Sequence, residues 1–425
     1  MSAFSRRYPD VYRIDDFDNP WLPLPVRLLN AVPDTLIRRF TRLDEQRLLQ
    51  RAIQATGLDD FGDEDFRAPF RLLLEDLNTL DHFTPMGRIT VQTVLHEQLC
   101  SRLCLQEQLK RQPDIAQHKI DRPVFIAGLP RTGTTHLHNL LSQCTQLRYL
   151  PLWQTLHPIA PQPGQADRRR RAADLAVNAT GFIIPLFKRM HEMATDAPHE
   201  ELTLCALGYR SFFFEGAFQV PKYRDWYANH SQVKGYAFLR QVLQMLEQEP
   251  AQGNKTSVAR APGARWILKS PQHVDQLEAI LTVFPDARLI LTHRDPARAV
   301  LSMITMILYT SRQVYRPRRL REEANAWVDR LEQMLRRSQQ QAAAIPGDNV
   351  FHVAFDAFME NPEKTIERIC EFAQIDLDPV SRQAIQRHLA SSARDRHGRI
   401  DYRFESLGLD EAEIRARFDF YTTWY

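Results

Sequence analysis

Apolar residues recur every three to four positions between residues 43 and 111, the spacing of one buried face of an α-helix. Three such stripes begin at Leu48, Phe70 and Val91. Gly57, a residue type that often ends helices, follows the first stripe. The pattern predicts an N-terminal helical region within residues 1–119, and these helices carry no evident chemistry.

Residues 1–40 lack this periodicity and are rich in proline and aromatic residues. The stretch from Asn19 to Pro25 places three prolines around Trp21, and proline disfavours helix at the residue before it. We therefore expect an extended arm. It could contact a membrane surface or a partner, or pack on its own domain.

The periodicity changes at residue 122. An apolar run from Pro123 to Ala127 predicts a buried strand, followed by a glycine-containing loop, Gly128–Thr135, and a helix from His136. The same order recurs twice and a last strand follows, with strands at 265–268, 288–292 and 349–353 and helices from Val274 and Pro296.

Strands that alternate with helices are typical of a parallel sheet covered by helices on both faces. We expect an α/β fold in which a P-loop-like parallel sheet flanked by helices occupies residues 120–425, after the N-terminal arm and helical region of residues 1–119. Asp295 is the expected N-cap of the helix that starts at Pro296. The arginine-rich tail from Ala390 is expected to be irregular.

Composition narrows the class of protein without changing this picture. The chain has 425 residues, of which 44% are hydrophobic and 25% charged, and its net charge is +3. These values are ordinary for a globular protein and exclude collagen, disorder and small disulfide scaffolds. The balanced charge lacks the excess of basic residues that is typical of nucleic-acid-binding proteins, so we expect no nucleic-acid partner. The basic pI still permits anionic ligands.

Neither a transmembrane segment nor a secretory signal is expected. No apolar run approaches the ~20 residues that span a bilayer, and the first residues lack the apolar segment of a signal peptide. The five cysteines are odd in number and lie in apolar, helix-like segments. We expect free thiols and a cytoplasmic location.

The loop Gly128–Thr135 is the strongest chemical signal. Its glycines allow close backbone approach, and the N–H groups that open the following helix attract anions. We expect a phosphate site whose donors come from this loop and include hydroxyls and one guanidinium, with a purely structural turn as the alternative. The expected site residues are Arg131, Thr132, Gly133, Thr134 and Thr135.

The same loop argues against ATP hydrolysis. Gly128 and Gly133 have the spacing of a Walker A element, but Thr134 stands where a nucleotide kinase needs lysine. The cation is Arg131, inside the loop. A P-loop small-molecule kinase is therefore a weaker alternative.

Two further signals follow predicted strands, where open α/β sheets bind ligands. Lys269 ends one strand and is one of only eight lysines among 55 basic residues, and His273 lies just beyond it. Arg294 follows the next strand, and Ser302 lies eight residues later on the same helix. This Arg and Ser could hold a second phosphate together.

In this order, the segments 123–141, 266–273 and 284–303 resemble sulfotransferases that use 3′-phosphoadenosine 5′-phosphosulfate (PAPS). They look most like a bacterial branch related to the tyrosylprotein sulfotransferases, and the resemblance extends over residues 44–420. It implies PAPS as co-substrate, no metal, and a hydroxyl or amine of a small-molecule or lipid-like acceptor.

The resemblance also implies residue roles. The family's 5′-phosphosulfate loop matches Leu129 to Thr135, with Arg131 as the loop cation, and its 3′-phosphate pair matches Arg294 and Ser302. Its lysine near the bridging oxygen of the donor matches Lys269. Cations fixed beforehand at that oxygen stabilise charge that develops in the transition state, as Arg131 and Lys269 could do.

One family feature is missing. Relatives commonly have Trp-Glu after the second strand, with the Glu as general base, but here Trp153 is followed by Gln154, which cannot accept a proton. His273 is the first substitute and the third expected catalytic residue beside Arg131 and Lys269. Further candidates are Glu200, Glu201 and His157. The missing Glu also supports an alternative, a non-catalytic nucleotide-binding homologue.

Overall fold

The computed structural model describes residues 9–80, 82–161, 164–249, 261, 263–315, 319–391 and 398–424. The first part of the chain is mostly helical, as predicted. Its elements are β1 (Val11–Arg13), α1 (Leu24–Asn30), α2 (Asp34–Phe40), α3 (Glu45–Thr56), α4 (Arg67–Thr79) and α5 (Pro85–Arg111), with short 3₁₀ turns at Glu64–Phe66 and Pro113–Gln117.

The middle of the chain begins with two strands of the sheet and continues as a series of helices. The elements are β2 (Val124–Ala127), α6 (Thr134–Leu141), β3 (Leu147–Arg148), α7 (Leu152–Leu156), α8 (Arg169–Ile183), α9 (Phe187–Met190), α10 (Leu202–Ala206), α11 (Phe212–Ala217), α12 (Pro221–Asn229) and α13 (Val233–Glu247).

The last part completes the sheet. Its elements are β4 (Arg265–Lys269), a 3₁₀ turn (Pro271–Asp275), α14 (Leu277–Val283), β5 (Arg288–His293), α15 (Pro296–Thr310), α16 (Leu320–Ala344), a 3₁₀ turn (Gly347–Asn349), β6 (Val350–Ala354), α17 (Phe355–Glu360), α18 (Pro362–Ala373), α19 (Pro379–Ser391), β7 (Arg399–Asp401), a 3₁₀ turn (Glu405–Leu407), α20 (Glu411–Arg417) and α21 (Asp419–Thr422).

The central sheet has five parallel strands in the order β3-β4-β2-β5-β6. Ile126 of β2 lies opposite Lys269 of β4 and Ile290 of β5, so the carboxyl ends of these strands meet at one edge. Alternate residues of β2 enter different hydrophobic clusters, Val124 and Ile126 in one and Phe125 and Ala127 in the other. The predicted α/β fold, a parallel sheet with helices on both faces, is confirmed.

The prediction of an extended arm over residues 1–40 is wrong for residues 24–40, which form α1 and α2. Pro23 and Pro33 stand at the N-cap positions and Pro25 lies in the first turn. A proline there removes no helical hydrogen bond and supplies a suitable backbone angle. Residues 1–8 lie outside the described residues.

The prediction of an irregular tail from Ala390 is wrong for residues 398–424. β7 pairs in parallel with β1, joining the two ends of the chain, and Asp410 caps α20 through a hydrogen bond from the backbone N–H of Glu413. Leu407, Ile414 and Phe418 are buried in the main core, so their apolar contacts order the tail. Residues 392–397 lie outside the described residues.

The helix predicted from Val274 begins later. Ser270 accepts a hydrogen bond from the backbone N–H of Gln272 and opens a 3₁₀ turn, and the α-helix starts only at Leu277. His273 therefore lies in the turn. The N-cap role of Asp295 is confirmed by its bond from the N–H of Ala297.

One hydrophobic cluster joins the N-terminal helices to the α/β part. Leu48 of α3 and Leu95 of α5 belong to it together with Ile304 of α15 and Leu331 of α16. The division at residue 119 stays a prediction. Among the described residues, no helix combines the length and apolar character needed to cross a membrane.

A buried network of ion pairs holds α16 against α11 and the 3₁₀ turn that follows β4. Arg330 contacts Glu215 of α11 at 3.0 Å and Asp275 of the 3₁₀ turn at 2.9 Å, and all three side chains are almost fully buried. Asp275 lies six residues after Lys269, so this network also fixes the turn that leaves β4. Charges at such depth require a partner.

We expect Arg330→Met to lower the free energy of unfolding by about 3–5 kcal/mol, because it leaves the buried carboxylate of Asp275 without its cation and that of Glu215 with Arg224 alone, at 3.4 Å. Chemical denaturation followed by circular dichroism measures the change. Arg319→Met is the matched control, since its ion pair with Glu322 is exposed and should contribute less than about 1 kcal/mol. Equal effects of the two substitutions would contradict the role given to the network.

Candidate active site

The loop after β2 packs tightly against β5. A Cβ atom on Gly128 would lie 2.0 Å from the Thr292 hydroxyl, so only glycine fits there. Thr132 donates its hydroxyl to the carbonyl of Leu129 at 2.7 Å and lies 2.7 Å from the Thr292 hydroxyl. The loop is thus held by hydrogen bonds on its inner side.

The outer side of the loop presents backbone donors. Arg131 and Gly133 have φ angles of 74° and 87°, in the left-handed region, and Gly133 stands at the N-cap of α6 without a side-chain cap. Alternating backbone conformations of this kind form anion-binding nests. The loop has the form expected of a phosphate site.

Lys269 ends β4 beside this loop and is 3% exposed. Its ammonium group donates to Glu200 Oε1 at 2.5 Å and to the hydroxyl of Thr135 at 3.4 Å. The lysine therefore connects the start of α6 to a carboxylate contributed by the segment before α10. This pair is the electrostatic centre of the site.

The surroundings keep Glu200 ionised. Burial raises the pKa of its carboxyl, but the charge of Lys269 and the hydrogen bond that it donates outweigh burial and lower the pKa to about 2. Burial lowers the pKa of His199 to about 3 and also lowers that of His191. At neutral pH the site therefore holds one ion pair flanked by neutral imidazoles.

A basic cavity of about 350 Å³ lies on the other side of Arg131. Arg294 and Ser302 both line it, as the spacing of eight residues predicted. The hydroxyl of Ser302 is buried and, within the described residues, has no hydrogen-bond partner. The remaining polar lining is Arg131, Arg298, Tyr402, Arg403, Glu405, Glu411 and Arg415.

Arg294 is held in place from two directions. Its Nη1 donates to the carbonyl of Arg131 at 2.6 Å, and its guanidinium lies 4.0 Å from the ring centre of Phe355. Burial, together with Arg131 and Arg298, lowers the pKa of Arg294. Crowded guanidinium groups of this kind repel one another unless an anion lies between them.

A larger cavity, of about 870 Å³, opens beside the ion pair. Glu200 and the loop form its polar end, whereas its other walls are largely apolar. Aromatics between residues 182 and 226 divide between this cavity and the core, with Phe187, Phe212, Phe213 and Phe218 on the cavity wall. The cavity size suits a small-molecule or lipid-like ligand.

His273 does not reach either cavity. Its ring is fully buried, with Nδ1 2.8 Å from the Tyr236 hydroxyl and Nε2 2.7 Å from Glu201 Oε1. Phe125 packs edge-on against it at 5.1 Å. Glu201 is equally buried, so neither residue has access to a ligand in this conformation.

Gln154 and His157 are also absent from the walls of both cavities. Gln154 is buried in α7, and burial together with Arg169 lowers the pKa of His157. Of the four sequence candidates for a proton acceptor, only Glu200 faces the large cavity.

Other site residues were missed by the sequence analysis. Arg298 lies midway between Arg294 and Ser302, and helical spacing could have identified it. Arg403 and Arg415 reach the basic cavity from the tail, and only the pairing of distant segments reveals them. In the described part of the chain, no group of three or more His, Cys, Asp or Glu side chains could hold a metal.

Comparisons with known proteins agree with this geometry. The family model described as "Sulfotransferase family" matches residues 123–379, more than half of the chain. The crystal structure of sulfotransferase STF9 from Mycobacterium avium is similar at 26% identity and a TM-score of 0.77, over 90% of this chain and 96% of that one. The crystal structure of sulfotransferase STF1 from Mycobacterium tuberculosis is similar at 25% identity and a TM-score of 0.74, over 88% of this chain and 98% of that one.

No curated protein matched the chain, so neither an acceptor nor the resemblance to the tyrosylprotein branch is established by that route. The family model covers the loop, Lys269, Arg294 and Ser302 in one continuous match. The two mycobacterial structures extend the likeness over the N-terminal helices as well. The chain belongs to the sulfotransferase family.

Proposed function

We propose that the protein transfers a sulfuryl group from PAPS to a hydroxyl of a small-molecule or lipid-like acceptor. The observation that carries the proposal is the meeting, at one sheet edge, of an anion-binding loop, a buried Lys269 and a second basic cavity. A donor with phosphate groups at both ends of its ribose needs two anion sites, and Arg131 borders both of them.

In this proposal the loop Gly128–Thr135 binds the 5′-phosphosulfate through its N–H groups and the hydroxyls of Thr134 and Thr135, because the expected donor Thr132 already bonds within the protein. Arg294 and Ser302 bind the 3′-phosphate, with Arg298, Arg403 and Arg415 adding positive charge. The unpartnered Ser302 hydroxyl and the basic lining of the cavity support this assignment, because one phosphate would bond to both. No metal has a part in it.

The transfer forms a bond between the acceptor oxygen and sulfur and breaks the bond between sulfur and the phosphate oxygen. The acceptor proton passes to a base, and negative charge remains on the departing phosphate. Lys269 and Arg131 stabilise that charge.

Glu200, rather than His273, is the proposed base. It faces the large cavity and lies 2.5 Å from Lys269, so an acceptor hydroxyl beside the sulfur position comes within its reach. When Lys269 turns to the phosphate, Glu200 loses its main stabilising charge and becomes a stronger proton acceptor.

Lys269→Ala should lower kcat by about 10²-fold or more while keeping the affinity for adenosine 3′,5′-bisphosphate within about tenfold. Lys269→Arg should also lose most activity, because a planar guanidinium fits a different geometry. Sulfotransfer assays and calorimetry measure both quantities. Lys119→Ala, at an exposed lysine, is the control, and unchanged turnover in Lys269→Ala would remove the lysine from the mechanism.

Ser302→Ala should weaken binding of adenosine 3′,5′-bisphosphate by about tenfold or more, since a hydrogen bond to a charged group contributes about 1.5–3 kcal/mol. Binding of adenosine 5′-phosphate should not change. Thr305→Val is the matched control, because the Thr305 hydroxyl bonds only within α15. Equal losses for the two nucleotides would show that Ser302 does not contact the 3′-phosphate.

Glu200→Gln should lower kcat by about 10²–10⁴-fold, the usual contribution of a general base, with Glu278→Gln on α14 as the control. Since the pKa of Glu200 is lowered to about 2, the free carboxylate stays ionised at any pH above it. We therefore expect kcat/KM to remain level as the pH falls from 7.5 to about 5. A loss of activity centred near the ordinary histidine pKa would indicate a histidine base instead.

Gln154 favours a second candidate function, a nucleotide-binding homologue without activity. It predicts the same nucleotide binding, but no turnover with phenolic, alcohol or lipid acceptors. A P-loop kinase is less well supported because Thr134 replaces the catalytic lysine. Phosphorylation that depends on ATP and Mg²⁺ would revive it.

A further inference from the structure

We propose that a face of the N-terminal arm docks on the surface of an anionic phospholipid membrane. This arm face consists of Trp21, Leu24, Leu28, Leu36 and Phe40. The last four side chains are 53–63% exposed, and Trp21 is 37% exposed. Of the nine large hydrophobic side chains exposed in the described structure, six lie between residues 11 and 40.

The arm face is part of the folded structure. Val26 packs inward from α1, the backbone N–H of Met86 donates to Asn30 Oδ1 at 3.0 Å, and Gln92 Nε2 donates to the carbonyl of Phe40 at 3.2 Å. These bonds fasten the ends of α1 and α2 to α5. Their outer residues are therefore presented at fixed positions rather than left loose.

The charge around the arm face identifies its partner. Residues 24–42, which cover α1, α2 and the two residues after them, include one acidic residue, Asp34, and four arginines, Arg27, Arg38, Arg39 and Arg42. The four arginines are exposed, whereas the segment before Trp21 is acidic, with Asp15, Asp16 and Asp18. Short helices with exposed leucine, phenylalanine and tryptophan beside arginine are suited to the boundary of an anionic bilayer. A second copy of the same face would bring like charges together.

The arm contacts two segments that line the large cavity, although no described residue of the arm is part of the cavity wall. Asn30 and Phe40 contact α5 at Met86 and Gln92, and residues 90 and 94 of the same helix line the cavity. On the other side, Arg312 donates to Asp16 at 2.9 Å and to the carbonyl of Trp21 at 3.1 Å, directly before cavity residues 313 and 314. Docking would bring the cavity close to the lipid surface.

This proposal does not rest on sulfuryl transfer, because vesicle binding is measured without donor or acceptor. The full chain is sedimented with vesicles of phosphatidylcholine and phosphatidylglycerol in equal parts, and separately with vesicles of pure phosphatidylcholine. We expect binding to the anionic vesicles that weakens as salt is added and much weaker binding to the neutral ones.

The double substitution Leu28→Ser and Phe40→Ser should reduce anionic-vesicle binding by about tenfold or more, because both side chains would otherwise enter the bilayer boundary. Val380→Ser on α19 is the matched control, since Val380 is also 53% exposed but lies away from the arm. Arg27→Glu with Arg39→Glu should reduce binding and its salt dependence. Circular dichroism checks that every variant is folded.

Three outcomes would overturn the proposal. The first is no binding of the wild type to anionic vesicles, and the second is equal binding by the wild type and the Leu28→Ser, Phe40→Ser variant. The third is self-association in analytical ultracentrifugation that the arm variant abolishes while vesicle binding is absent, which would assign the face to a second copy. None of them affects nucleotide binding, so the proposed function is tested separately.

Discussion

The buried ion pair between Lys269 and Glu200 is the interaction on which the site depends. A lysine that is 3% exposed cannot remain charged at that depth without a partner, and Glu200 supplies it at 2.5 Å. The pair therefore holds a strong cation and a strong anion within one hydrogen bond. In the proposed reaction Lys269 stabilises the departing phosphate, and Glu200 accepts the proton of the acceptor.

The parallel sheet explains why this pair lies beside the loop Gly128–Thr135, where Glu200 lines the large cavity and Lys269 lies behind its wall. β2, β4 and β5 are adjacent, so the loop Gly128–Thr135, Lys269 and Arg294 leave the sheet at the same edge. Gly128 lets the loop pack on Thr292, and the Arg330 network fixes the turn beyond Lys269. These two contacts fix the backbone of the loop and of the turn. The backbone in turn sets the positions of the groups that face the ligand.

The features that depend on neighbouring residues could be predicted from the sequence. Apolar runs predicted every strand of the sheet except β3, which is only two residues long, and glycine spacing predicted the loop. The eight-residue separation, about two helical turns, led to the prediction that Arg294 and Ser302 could hold one phosphate together, and both line the basic cavity. The prolines led to the wrong prediction of an extended arm, because Pro23, Pro25 and Pro33 stand at helix positions that tolerate proline. Contacts between segments far apart in the sequence could not be predicted. No local pattern indicates that Glu200 contacts Lys269, that Arg403 and Arg415 lie beside Ser302, or that Glu201 contacts His273.

The position of the Lys269 ammonium group in a crystal structure with bound adenosine 3′,5′-bisphosphate is the most direct test of the role given to the ion pair. We expect the 5′-phosphate to lie in the loop Gly128–Thr135 and the ammonium group to donate to it, with the contact to Glu200 lengthened or lost. A nucleotide bound outside the loop, with Lys269 still paired to Glu200, would contradict the central claim.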